Sequence, residues 1–154
     1  MMNTAVHHAA LSTRKLSFAA LMVLYEENYT LACRLIPKHW RRKQAVSCSS
    51  GDLKLHLRCI SHDKFTTLYL MTYYIDERAE PGLLFRLYHD AALAEAVGFE
   101  GHEPTVDHMD DMAAEWVFRH KWHLNLFLNK WLRYCLGRGH VFLPSATRPR
   151  PKPL

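Results

Sequence analysis

The stretch "LLFRLYHD", Leu83 to Asp90, carries the pattern that decides the fold class. Apolar and polar residues largely alternate in it, and such a period of two is typical of a β-strand with one buried face. Successive side chains of a strand point to opposite faces. The predicted core face therefore carries Leu83, Phe85, Leu87 and His89. The opposite face carries Leu84, Arg86, Tyr88 and Asp90.

Two earlier stretches also favour strands. The first, "LKLHLRCI", alternates from Leu53 to Ile60, and the second, "FTTLYLMTYYI" from Phe65 to Ile75, is rich in β-branched and aromatic residues. The turn signals "GD" and "SHDK" precede them. Short strands joined by tight turns predict an antiparallel β-meander of about four to five strands.

The flanking parts of the chain follow a helical period. Apolar residues recur at spacings of three and four from Ser12 to Ile36, and Pro37 ends this helix. A long C-terminal helix is predicted from about Asp110 to Leu136, before the stop signal "GRG". Its apolar stripe comprises Ala113, Trp116, Val117, His120, Leu124, Phe127, Leu128, Trp131 and Cys135. The predicted fold class is α+β, with both helices packed on one sheet face.

Three residues of these helices raise separate questions. Asn28 lies within the first apolar stripe, so we expect it to be buried and hydrogen-bonded to a backbone group of the sheet. The aromatic residues Trp116, Phe127 and Trp131 could line a cofactor pocket, but their helical spacing favours plain core. Asn125 and Asn129 could face solvent or the sheet rim. No cofactor is predicted.

Length and composition predict a single domain, and the cysteines and one apolar run predict the cellular compartment. The chain has 154 residues, 49% of them hydrophobic and 23% charged, which is typical of a globular protein. We expect a loose leader at 1–12, a single domain at 13–140 and a proline-rich basic tail at 141–154. Four cysteines without a C-x-x-C pair indicate reduced thiols. The apolar run after Arg14 is too short to span a bilayer, so a cytoplasmic protein is expected, with no membrane partner.

Three segments carry a family resemblance. They are "YEENYTLACRLIP" from Tyr25, "RLYHDAALAE" from Arg86 and "NLFLNKWLRYCLGRGH" from Asn125. Together they resemble the YqiB-like family of small bacterial proteins, a domain of unknown function (1249). The resemblance implies a free-standing cytoplasmic protein with an α+β fold. It implies no activity.

The end of the stretch "LLFRLYHD" is the candidate ligand-binding site. Arg86 offers a planar fork for a carboxylate or phosphate, and Tyr88 adds an apolar ring with a hydroxyl tip. His89 and Asp90 follow directly, but consecutive strand residues diverge, which argues against a catalytic dyad. The leading hypothesis is a non-catalytic binding or adaptor protein for a protein partner or a small anionic ligand. No catalytic residue and no metal ligand are assigned.

Two alternatives stay open. The first is a small hydrolase or lyase that uses His89 and Asp90, or a metal held by histidines of the segment 102–123, which are His102, His108, His120 and His123. The second is nucleic-acid binding through the tail and the basic cluster Lys38, Arg41, Arg42 and Lys43, since the net charge is +5. Because the cations are spread over two short segments, nucleic acid is the less favoured partner. The sequence does not fix the oligomeric state.

Overall fold

The computed structural model describes residues 17–38, 40, 42–75, 78–80, 82–101 and 111–143. The predicted leader at 1–12 and most of the predicted tail, residues 144–154, lie outside the described residues. Two helices flank six strands in chain order. These elements are α1 (Phe18–Leu35), β1 (Gln44–Ser47), β2 (Leu55–His62), β3 (Thr66–Ile75), β4 (Arg78–Ala79), β5 (Leu83–Tyr88), β6 (Leu93–Phe99) and α2 (Asp111–Gly137). The predicted α+β class is confirmed.

The strands form an antiparallel meander. Their order is β1-β2-β3-β5-β6, and the two-residue β4 pairs with the end of β3. The register places Leu57 opposite Met71 and Met71 opposite Leu83, so these core residues share one face of the sheet. As predicted, Leu83, Phe85 and Leu87 are buried on that face.

Helix α1 begins after a capping residue, Ser17, that the helical periodicity did not predict. The Ser17 side chain accepts a hydrogen bond from the Ala20 backbone N–H at 3.1 Å, which satisfies one free donor of the first turn. The helix ends at Leu35, next to the predicted Ile36, because Pro37 pushes Ile36 into an extended conformation. The part of the predicted helix before residue 17 lies outside the described residues.

The predicted apolar stripe of α2 is wrong at Trp116, His120 and Phe127, whereas Leu124, Leu128 and Cys135 are buried as predicted. Trp116 is 60% exposed and Phe127 46% exposed, and His120 is exposed with its ring stacked on Trp116 at 5.2 Å. The buried positions are Trp122, Leu124, Asn125, Leu128, Asn129, Leu132 and Cys135. Asn125 and Asn129 also belong to the buried face, and a stripe drawn through apolar residues alone leaves them out.

The core lies between one face of the sheet and the two helices. It joins Leu31 and Leu35 of α1 and Leu128 and Leu132 of α2 to the buried face of the sheet, with Phe85 among its largest side chains. The helices also cover the edge of β6, where Asn125 Oδ1 accepts the backbone N–H of Ala96 at 2.7 Å. This bond pairs a donor of the edge strand that would otherwise be free.

Asn28 is fully buried, as predicted, but its partner differs from the prediction. Its Nδ2 donates to the backbone carbonyl of Asn125 in α2 at 3.1 Å, and not to the sheet. Asn125 in turn bonds the sheet through Ala96. The two asparagines therefore connect α1, α2 and β6 in one chain of hydrogen bonds.

Candidate functional site

The four predicted ligand residues separate at the end of β5. Arg86 and Tyr88 lie half-buried on the face opposite the core residues Phe85 and Leu87. His89 and Asp90 belong to the turn that follows the strand, and Asp90 is exposed. Arg86 and Tyr88 thus lie on one face of the sheet, whereas His89 lies on the core side. We call the first two the Arg86–Tyr88 row.

His89 makes a local contact on the core side. Its Nε2 is 2.8 Å from the hydroxyl of Thr67, and that hydroxyl also lies 2.8 Å from Nδ1 of His62. A hydroxyl has one proton, so it donates to one ring and accepts from the other. Burial, followed by the nearby His62, lowers the pKa of His89 despite the opposing effect of Asp90. The ring of Tyr29 packs edge-on against His89 at 6.3 Å.

Tyr88 lines a small apolar hollow of about 390 Å³ beside α1. Its other walls include Phe18, Tyr25, Leu93 and Glu95. Burial, and then the carboxylate of Glu95, raises the pKa of the Tyr25 hydroxyl well above its ordinary value. Tyr25 therefore stays protonated.

A larger groove of about 620 Å³ lies on the same side of the sheet, over β1, β2 and β3. Strand alternation places its floor residue Leu70 on the face of Leu84, its partner in β5, and Leu84 shares that face with Arg86. The lining mixes apolar and polar surface, and its polar and charged side chains are Arg42, Gln44, His56, Arg58, Thr72, Tyr74 and Glu100. The groove thus combines two guanidinium groups with one carboxylate.

The cations of this groove are available to a ligand. The only ion pair found there among the described residues joins Arg58 to Glu100 at 3.7 Å, with both side chains about half exposed (54% and 53%). Such exposed pairs contribute little to stability, about 0–1 kcal/mol, and exchange readily with other partners. Arg58 can therefore turn its fork to an incoming anion at small cost.

Two rings stand together at one end of the groove. His56 and Tyr74 lie 4.1 Å apart between ring centroids, tilted by 47°, and Tyr74 is 40% exposed. The same pair lines a neighbouring depression of about 550 Å³ with Asp52, Leu53 and Lys54. Burial, and then Lys54, lowers the pKa of His56, so its imidazole is neutral at pH 7.

A buried hydrogen-bonded chain, Ser47–His140–Asp52, joins residues far apart in sequence. His140 Nδ1 lies 2.9 Å from Ser47 Oγ, and His140 Nε2 lies 2.8 Å from Asp52 Oδ2. Because a carboxylate only accepts, Nε2 carries the proton and Nδ1 accepts from the serine. The order of groups resembles a nucleophile relay, but Ser47 is 4% exposed and its oxygen already accepts the Val141 N–H at 3.2 Å. The chain ties the segment after α2 to β1.

Asp52 is held ionised at the end of this chain. Burial alone would raise the pKa of its carboxyl group. Hydrogen bonds from His140, the Leu53 backbone and Tyr134 outweigh that effect and hold the pKa below its ordinary value. No local sequence pattern predicts this cluster, because 93 residues separate Ser47 from His140.

The aromatic residues considered for a cofactor pocket separate as well. Phe127 and Trp131 line an apolar hollow of about 430 Å³ together with Tyr73, Phe99 and Tyr134. Trp116 lies elsewhere, stacked on His120. The hollow is half-exposed rather than part of the core. Few polar groups line it, so it offers little that could orient a cofactor.

The metal alternative rests mostly on residues outside the described ones. His102 and His108 belong to the segment 102–110, which is not described, while His120 and His123 are exposed on α2. Within the described ranges, no three His, Cys, Asp or Glu side chains come close enough to hold a metal ion. Nor does either described helix combine the length and apolar character needed to cross a bilayer.

Comparison with known proteins gives relatives without an assigned activity. The chain is 28% identical over 133 residues to the "Uncharacterized protein YqiB" of Escherichia coli strain K12, which covers 82% of this chain and 94% of that protein. The proteins of the same description from Escherichia coli O6:H1 and O157:H7 match equally. No solved structure matches. The family described as "Protein of unknown function (DUF1249)" matches residues 31–141, so the chain belongs to that family.

Proposed function

We propose that this chain is a binding protein without catalytic activity, which takes a small anionic ligand on the outer face of its sheet. The observation that carries the proposal is the groove of about 620 Å³, lined by the guanidinium groups of Arg42 and Arg58. Its volume is within the range of small-molecule sites, about 300–1,000 Å³. Guanidinium groups bind carboxylates and phosphates through two parallel hydrogen bonds.

The Arg86–Tyr88 row extends this binding face towards β6. Arg86 lies opposite Leu68 and Glu95 in the neighbouring strands, on the side of the groove. No ion pair holds Arg86 among the described residues. We keep His89 and Asp90 in the proposal as the rim of this face, at the turn that ends β5.

Two observations support binding over catalysis. The imidazole of His89 bonds Thr67, and no hydrogen bond between His89 and Asp90 is found among the described residues, which does not favour the suggested dyad. The Ser47 hydroxyl is buried and engaged in two hydrogen bonds. A cytoplasmic location belongs to the same proposal, and the free thiols of Cys33, Cys48, Cys59 and Cys135 support it.

Calorimetric titration with inorganic pyrophosphate tests the proposal. We expect saturable binding that weakens with added salt, because exposed charges are screened. Arg58→Gln should weaken binding about tenfold, since one hydrogen bond between charged groups contributes about 1.5–3 kcal/mol.

The matched control is Arg119→Gln, on the exposed side of α2, where Arg119 pairs with Glu115 and with no other of the described residues. Its affinity should equal that of the parent chain. If pyrophosphate does not bind at millimolar concentration, or if both variants weaken binding equally, the groove is not an anion site.

A further inference from the structure

We propose that the ligand of the groove is a mononucleotide, with its phosphate on Arg42 and Arg58 and its base stacked on the His56–Tyr74 ring pair. This inference rests on the anion binding proposed above and adds the chemical class of the ligand. Three features of the groove carry it: a ring platform, a pair of cations and a single carboxylate.

The ring platform is built for a flat ligand. His56 and Tyr74 come from neighbouring strands, and their rings meet at 4.1 Å on the outer face of the sheet. Both line the groove, and Tyr74 is exposed. Aromatic side chains on an open sheet stack bases, since every base has a π-face. A bare anion would make no use of the exposed face of the Tyr74 ring.

The polar groups match the rest of a nucleotide. Arg42 and Arg58 supply donors for phosphate oxygens. Glu100 is an acceptor that can bond ribose hydroxyls, as acidic residues do in dinucleotide sites. Gln44 carries an amide with both donors and an acceptor, which suits the edge of a base.

The size and charge of the groove favour one nucleotide over a strand of nucleic acid. A volume of about 620 Å³ holds one small molecule. The lining of the groove carries two cations, Arg42 and Arg58, which can hold one phosphate group but do not form a continuous track. A tract for a polyanion needs cations along its length.

The test compares AMP with ribose 5-phosphate by calorimetric titration, because the two differ only in the base. AMP should bind about tenfold more tightly, which is the size of one stacking interaction. Tyr74→Leu should remove most of that difference and leave the affinity for ribose 5-phosphate unchanged. The matched control is Phe65→Leu, an exposed ring near the opposite end of β3 that lines no part of the groove.

The AMP base also reports stacking in the unaltered chain, so the test does not depend on any variant that fails to fold. Its H2 and H8 resonances should move upfield on binding through the ring currents of His56 and Tyr74. Equal affinities for AMP and ribose 5-phosphate, with no upfield shift, would overturn the nucleotide and leave the anion site standing. Failure of pyrophosphate, ribose 5-phosphate and AMP alike would overturn both proposals. An adenosine RNA decamer that binds more than tenfold more tightly than AMP would replace the mononucleotide with nucleic acid.

Discussion

Among single residues, Asn125 contributes most to the junction of helices and sheet. Its side chain accepts from Ala96 of the edge strand at 2.7 Å and donates to the Lys121 carbonyl at 2.8 Å, and its own carbonyl accepts from Asn28. A buried donor left without a partner costs about 1–3 kcal/mol. Asn125 therefore connects α2 to both α1 and β6 through hydrogen bonds.

Replacing Asn125 should cost more than replacing Asn28. Asn125→Leu leaves the Ala96 N–H unpaired, so we expect a loss of about 1–3 kcal/mol in the free energy of unfolding. Asn28→Leu removes one bond to a carbonyl within helix α2 and also removes a buried oxygen, Oδ1, that has no partner. Its loss should be smaller. Urea denaturation of both variants measures the difference, and a larger loss for Asn28→Leu would contradict this account of the junction.

His89 and Arg86 should separate stability from binding. His89→Ala leaves the buried hydroxyl of Thr67 with one partner instead of two, which should lower the free energy of unfolding by about 1–2 kcal/mol. Arg86→Ala should leave thermal unfolding within error of the parent and weaken the binding of pyrophosphate. If Arg86→Ala unfolds the chain while His89→Ala is stable and loses binding, the two roles are reversed.

At the scale of elements, the loop after β1 and the segment after α2 are held together by one hydrogen-bond network. Asp52, His140 and Ser47 form its centre, and Tyr134 adds a hydrogen bond to Asp52 at 3.2 Å. The Phe142 N–H then bonds the Leu35 carbonyl at the end of α1. The segment after α2 is thus hydrogen-bonded to β1, to the loop after β1 and to the end of α1.

This network predicts a defined dependence of stability on pH. The folded pKa of Asp52 lies below its ordinary value of 3.8, so the folded state favours the ionised form. Its contribution is fully present above about pH 3.8 and is lost as the pH falls through the folded pKa. Asp52→Asn should therefore destabilise the chain at pH 6, and the deficit should shrink below the ordinary pKa. Thermal unfolding across pH 3 to 6 measures this, and a deficit constant with pH would contradict it.

Local pattern predicted the elements better than their contacts. The alternation from Leu83 to Leu87 predicted a strand and its buried face, because a period of two follows from strand geometry alone. The stripe of α2 was partly wrong because it left out two buried asparagines. Asn125 is buried with a hydrogen bond to Ala96 of β6, which no local pattern contains, and Asn129 is buried with its side chain bonded to Arg133 of the same helix. The pairing of Ser47 with His140 depends on the sheet bringing distant segments together.

At the scale of the whole molecule, the two faces of the sheet have different roles. One face and the β6 edge pack against both helices and hold the fold together, and the other face leaves a groove over β1 to β3. Periodicity predicted that Arg86 would face away from the core. The groove itself was not predictable from the sequence, because Arg42, Arg58 and Glu100 meet only through the strand order.

The same face of the sheet predicts how the affinity for pyrophosphate depends on pH. The pKa of His56 is lowered by burial and by Lys54, so the ring is neutral at pH 7 and becomes a third cation only below its ordinary value of 6.5. Pyrophosphate affinity should therefore rise as the pH falls below that value, once the titration of pyrophosphate itself is subtracted. His56→Gln should remove this rise, and a rise unchanged in His56→Gln would assign it to another group.

The location of the bound anion is the central claim, and two-dimensional ¹H–¹⁵N NMR with added pyrophosphate tests it most directly. The account predicts that amide resonances at 44–46, 56–58 and 72–74 shift progressively and saturate, while those at 115–123 of α2 stay in place. Shifts confined to the apolar hollow around Trp131 would contradict the account, as would a spectrum unchanged at millimolar pyrophosphate.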